Sequence, residues 1–107
     1  MHVCVTYKPR TPAPPEMLPI MVEGTKQWID NYGEKFETLW WFAQGGGVGL
    51  MEVDSEADLM RMMAEHPFTA YCDVDVQVCV DPRTGIDTYG QVVAQQMAMA
   101  QAAVNGS

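Results

Sequence analysis

Two stretches alternate apolar and polar residues with the period of a half-buried strand. In "HVCVTYK", Val3, Val5 and Tyr7 fall on one side and His2, Cys4, Thr6 and Lys8 on the other. In "YCDVDVQVCVD", residues 71–81, Cys72, Val74, Val76, Val78 and Val80 oppose Tyr71, Asp73, Asp75, Gln77 and Cys79. A third stretch, "FETLWWFAQGGGVGLMEVD", predicts a hairpin of strands 35–43 and 48–54 around a glycine turn. Here three large rings are consecutive, so Trp40 and Phe42 point to one face and Trp41, with Leu39, to the other.

Between the strands the period changes to that of a helix. From Glu16 to Tyr32, the residues Leu18, Met21, Thr25, Trp28, Ile29 and Tyr32 recur at spacings of three and four. Pro19 suits only a first turn, Gly24 needs a close neighbour to justify it, and Gly33 is expected to end the helix as a left-handed cap. A short second helix lies in "DSEADLMRMMAEHP". Ser55 is its N-cap with Asp58 at the capping-box position, Leu59, Met62 and Met63 form its stripe, and His66-Pro67 stops it. "PRTPAPPE" is a stiff loop and "DPRTG" a turn. Residues 87–104 predict a third helix capped by Asp87, with a thin stripe of Tyr89, Val93, Met97, Ala100 and Val104.

The order β-α-β-β-α-β followed by α is the ferredoxin-like plan within the α+β class. It places two helices on one face of a four-stranded antiparallel sheet and leaves the other face bare. The second strand lies at an edge, and two tryptophans there need cover, because large apolar patches mark contact sites. A second copy of the sheet, packed face to face, supplies it. The expectation is one domain over 1–107, with 1–86 as core and 87–107 as a C-terminal helix packing on a partner subunit.

Composition narrows the partners. The chain has 107 residues, 48% hydrophobic and 19% charged, which fits one globular domain. A net charge of −8 disfavours nucleic acid and anionic membrane, both of which need a basic footprint. There is no apolar run long enough for a signal peptide or a membrane span. Cys4, Cys72 and Cys79 form neither a disulfide framework nor a metal spacing, so reduced thiols and a cytoplasmic setting are expected.

With the strands and helices placed, "KFETLWW", "LMEVDSEADLMRMM" and "HPFTAYCDVDVQV" together resemble the dimeric α+β barrel superfamily, and more narrowly the muconolactone isomerase-like family. Trp40, Glu52, Ser55, Leu59, Pro67, Tyr71 and Asp73 match its pattern over roughly residues 15–81. The resemblance implies a paired-sheet dimer or higher homo-oligomer, no cofactor and a small-molecule substrate of aromatic compound metabolism. It implies most directly an isomerase that shifts a proton on an unsaturated lactone-like ring. Cofactor-free monooxygenases or cyclases acting on aromatic polyketide-type substrates, and non-catalytic binding or assembly proteins, share the architecture. The chain departs from the pattern at Thr38, where the family places a histidine, and in its proline-rich first loop, glycine-heavy turn and tail.

The candidate chemistry follows. Glu52, on a central strand, becomes a proton shuttle if it lies in an apolar cavity, since desolvation raises a carboxyl pKa; otherwise it is a rim carboxylate with a polar partner. His2 can assist as acid or base near neutral pH, or lie at a frayed strand end. Trp40, Tyr71 and Tyr7, with Thr38, are the candidate ligand-binding set, while Trp28 and Trp41 are expected in the core or a subunit interface. Asp73, Asp75 and Asp81 read as a solvated acidic strip, because alternate strand residues lie about 7 Å apart and cannot alone hold one ion. "QGGGVG" has no helix after it and is a hairpin turn rather than a phosphate cradle.

Overall fold

A computed structural model describes residues 1–106. Strand β1 (His2–Pro9) leads through the proline-rich segment to helix α1 (Leu18–Tyr32). The hairpin β2 (Phe36–Trp41) and β3 (Gly47–Glu52) follows, then α2 (Glu56–Glu65), β4 (Cys72–Cys79) and α3 (Pro82–Asn105). The sheet is antiparallel in the order β2-β3-β1-β4, so the ferredoxin-like plan holds, with β2 at the edge and β3 inside.

Register fixes the faces. Val3, Val5 and Tyr7 of β1 stand opposite Met51, Gly49 and Gly47 of β3 and share the face that α1 and α2 cover. The core there joins Val3, Val5, Tyr7, Trp28, Met51, Val53 and Met62. Trp28 ties the two helices together, because its indole N–H donates to the Met62 carbonyl at 2.9 Å. Gly24 has its reason in Pro67: a Cβ there would lie 2.9 Å from the proline ring. Ser55 caps α2 by accepting from the Asp58 N–H, as the sequence predicts.

Three local expectations change. Gly33 is right-handed (φ −55°), and the chain passes from α1 straight into a 3-10 turn, Gly33–Lys35. The left-handed glycines are Gly45 and Gly46 in the hairpin turn. Helix α3 begins at Pro82, five residues before the expected Asp87 cap. Asp81 is the N-cap, its carboxylate accepting from Thr84, and Pro82 occupies the first turn, where its missing N–H is no loss. The "DPRTG" segment is thus a helix start rather than a turn.

The second face of the sheet is open within the chain: Trp40 is 68% exposed, and Glu52, Asp73 and Asp75 are exposed beside it. Helix α3 buries none of its residues and presents Ile86, Tyr89 and Met97 to its surroundings. The molecule is correspondingly elongated, 67 Å along its major axis against 28 and 27 Å. Among the described residues, no helix is long and apolar enough to cross a membrane.

Candidate functional site

A cavity of about 440 Å³ lies between the covered face of the sheet and α1. Its floor is Val5, Tyr7, Trp28 and Met62; β2 contributes Phe36 and Leu39, and the inner strand β3 contributes Gly47, Val48 and Gly49; His66, Phe68, Tyr71 and Cys72 close one end. The space exists partly because β3 carries glycine where a side chain would fill it. A Cβ on Gly49 would meet the Phe36 ring at 2.4 Å. At the mouth, Pro9–Ala13 faces the turn of Gly45 and Gly46. The proline segment is anchored because the N–H groups of Arg10 and Thr11 both donate to the Tyr71 carbonyl, at 3.0 and 3.2 Å. Gly46 fits under β1 only without a side chain: its φ is +86°, and a Cβ would stand 2.2 Å from the Tyr7 carbonyl oxygen.

The lining contains no Asp, Glu, Lys or Arg. Its polar groups are few, and most are committed. The Thr25 hydroxyl donates to the Met21 carbonyl at 2.8 Å. Burial pushes the Cys72 thiol up, with the Asp73 carboxylate adding to the effect, so it stays protonated. The Tyr7 phenol is likewise raised by burial and is paired with Thr69.

His66 differs. It is 8% exposed and packed by rings: Tyr7 stacks on it at 4.6 Å between centroids, Trp28 meets it edge-on at 4.6 Å, and Phe68 at 6.3 Å. Burial pushes its pKa down from 6.5 to about 4, so the ring is neutral at pH 7. Nδ1 accepts from the Phe68 N–H at 3.2 Å, which places the ring's one hydrogen on Nε2. Among the described residues no protein group pairs with Nε2, and no wholly buried side-chain nitrogen or oxygen lacks a partner. Nε2 is therefore not wholly buried, and His66 belongs to the cavity wall. A neutral N–H donor in the wall of an apolar chamber can hold and polarise a carbonyl oxygen.

Of the residues singled out from sequence, Tyr7 and Tyr71 line the cavity; Trp40 borders it from β2, but its pairing with Val48 puts its side chain on the open face, where it is 68% exposed. Glu52, His2 and Thr38 do not. The pairs His2 with Glu52, and Thr38 with Leu50, put all three on the open face. Glu52 is exposed and lies in a separate groove lined by the charged Lys35, Asp58 and Arg61, so the apolar setting required for a shuttle is not met within the chain. His2 bonds Glu37 through Nε2 at 2.7 Å at the surface. Trp28 serves both core and cavity floor. The sequence pattern passed over His66 as a helix stop, which it also is: its backbone follows α2 and its ring accepts from Phe68. The available signal was a histidine flanked by Pro67 and Phe68 beside an aromatic strand, and only the fold places Tyr7 and Trp28 against it.

A four-stranded antiparallel sheet in the order β2-β3-β1-β4 with two helices on one face defines the class: this is a ferredoxin-like α+β fold, and solved structures share it. Among solved structures the chain is similar to muconolactone isomerase, with TM-score 0.63 and 20% identity over 77% of this chain and 92% of that one. It is also similar to 5-chloro-2-hydroxyhydroquinone dehydrochlorinase from Burkholderia phenoliruptrix AC1100 in complex with 2,5-dihydroxybenzoquinone, with TM-score 0.54 and 15% identity over 78% and 98%. No family model matches the chain, and no curated protein matches it in sequence.

Proposed function

We propose that this protein is a small cofactor-independent enzyme that takes a flat, mostly apolar cyclic substrate into the aromatic cavity and shifts a proton on an unsaturated lactone-like ring. The observation that carries the proposal is a neutral imidazole, His66, in the wall of an uncharged, ring-lined chamber, with its Nδ1 filled by the Phe68 N–H and its Nε2–H left to offer. The shape suits a planar ring, since Trp28, Phe36, Tyr7 and Tyr71 offer broad apolar area. A hydrogen bond from Nε2–H to a ring carbonyl draws electron density toward the oxygen and makes a conjugated C–H more acidic. The same donor holds the dienolate that forms when the proton leaves, and a neutral imidazole does this without giving up its own proton. Because the lining holds no carboxylate, water admitted with the ring carries the proton between carbons. Proteins of this fold include an isomerase and a dehydrochlorinase with a bound dihydroxybenzoquinone, and both names describe chemistry on small cyclic compounds.

The test uses an α,β-unsaturated γ-lactone in D₂O, with loss of the γ-hydrogen signal followed by NMR. The wild-type protein should accelerate exchange, and His66→Phe should lose about 10²–10³ of that rate, as removal of one oxyanion donor does, while still binding the lactone. Equal exchange in both proteins would sink the isomerase proposal. Oxygen uptake in place of exchange would point to a cofactor-free oxygenase, and binding with neither would point to a ligand carrier.

We also propose that a second copy covers the open face, with α3 reaching across the pair. The support is the exposure of Trp40 and, on α3, of Ile86, Tyr89, Met97 and Val104. Light scattering should return at least twice 11.9 kDa; a lone particle of that mass at micromolar concentration overturns this assembly.

A further inference from the structure

The direction of each hydrogen bond around the cavity can be assigned by counting hydrogens. The Thr69 hydroxyl has one, and at 2.6 Å from the Met63 carbonyl oxygen it must donate it there, because a carbonyl only accepts. The 3.3 Å contact between Thr69 Oγ1 and the Tyr7 oxygen therefore has Tyr7 as donor. With its one hydrogen used, the Tyr7 oxygen has only lone pairs left for a ligand. The adjacent ring is in the opposite state: His66 has its Nδ1 lone pair filled by the Phe68 N–H and only an N–H left to offer. The two rings stack at 4.6 Å with 22° between their planes, so one donor and one acceptor lie on neighbouring rings of the cavity wall.

We infer that the cavity's ligand is an uncharged ring carrying both a carbonyl and a hydroxyl, the carbonyl accepting from His66 Nε2–H and the hydroxyl donating to the Tyr7 oxygen. This rests on the proposed use of the cavity and narrows it. An anion is disfavoured because no basic side chain lines the space, and the nearby Arg10 is turned outward to the Ala70 carbonyl (3.0 Å) and Asp73 (3.6 Å). Thr69 touches the ligand nowhere in this scheme. It is a positioning residue that sets the polarity of Tyr7.

The experiment titrates the full chain calorimetrically with 5- and 7-hydroxy-1-tetralone, their methoxy counterparts, and the same ring carrying a carboxylate in place of the hydroxyl. The hydroxy compounds should bind about tenfold tighter than the methoxy ones, the upper range for one hydrogen bond, and the carboxylate should bind more weakly than either. Tyr7→Phe should bring the hydroxy-to-methoxy ratio to about one. Thr69→Val returns the hydrogen to Tyr7, so the methoxy compounds should recover and the ratio should fall below its wild-type value; Thr69→Ser should restore it. If Tyr7→Phe does not fold, the two Thr69 variants carry the same discrimination. Hydroxy and methoxy compounds binding alike would overturn the donor–acceptor assignment and leave the cavity reading intact. No binding by any of the tetralones would overturn both.

Discussion

Burial of a single imidazole should make this protein acid-sensitive well above the range in which carboxylates titrate. His66 holds a pKa of about 4 in the fold, against 6.5 for an unperturbed histidine. The unfolded chain therefore binds a proton that the native chain refuses, and stability must fall as pH drops through 6.5 toward 4. The full difference corresponds to about 3 kcal/mol, of which about 2 kcal/mol is lost between pH 7.5 and pH 5. None of the rings packed on His66, those of Tyr7, Trp28 and Phe68, carries a charge that could compensate. Urea unfolding followed by tryptophan fluorescence at several pH values measures the effect. His66→Phe keeps a ring in the space and removes the titration. It loses the bond from the Phe68 N–H, which offsets its stability by a nearly constant amount. The wild type should lose about 2 kcal/mol more than the variant over that span. Parallel pH profiles for the two proteins would refute the claim that a neutral, desolvated imidazole sits at the cavity wall. His2, the other histidine, is exposed and bonded to Glu37, so it leaves this comparison intact.

Other outcomes follow from the same contacts. Gly46→Ala should destabilise by about 2 kcal/mol or more in a urea titration, since a side chain there combines positive φ with collision against the Tyr7 carbonyl. Trp28→Phe removes the donor to the Met62 carbonyl and part of the cavity floor, and should cost about 2 kcal/mol by the same measurement. Glu52→Gln should leave tetralone or lactone affinity within about twofold by calorimetry, because Glu52 lies on the far face of the sheet; a large loss would bring that face into the site. Deleting residues 82–107 should leave the far-ultraviolet signature of the sheet in place and lower the mass found by light scattering, because α3 buries nothing within its own chain.

How far the site could be read from the chain depended on range. Tyr7 and Tyr71, which the structure places at the cavity wall, were accessible to sequence reasoning because strand alternation and ring chemistry are local. Glu52 was misplaced for a reason of one residue: on a strand, its neighbours Met51 and Val53 take the covered face and send it to the open one. His66 was hidden because its meaning comes from Tyr7, 59 positions earlier, and from Trp28 on another element. The start of α3 was local and still missed, since Asp81-Pro82 serves equally well as a turn or as an N-cap with proline in the first turn.

By itself the sequence determined the order of elements, the antiparallel ferredoxin-like plan, the capped second helix and the two-faced tryptophan edge. Each of these follows from periodicity or from the φ/ψ limits of a few residues. Tertiary structure alone decided that the ligand-sized space lies under the helices rather than on the open sheet, that an imidazole is dehydrated within it, and which way the Thr69 and Tyr7 hydroxyls point. Desolvation and hydrogen-bond direction are set by groups distant in the chain, and no local pattern encodes them.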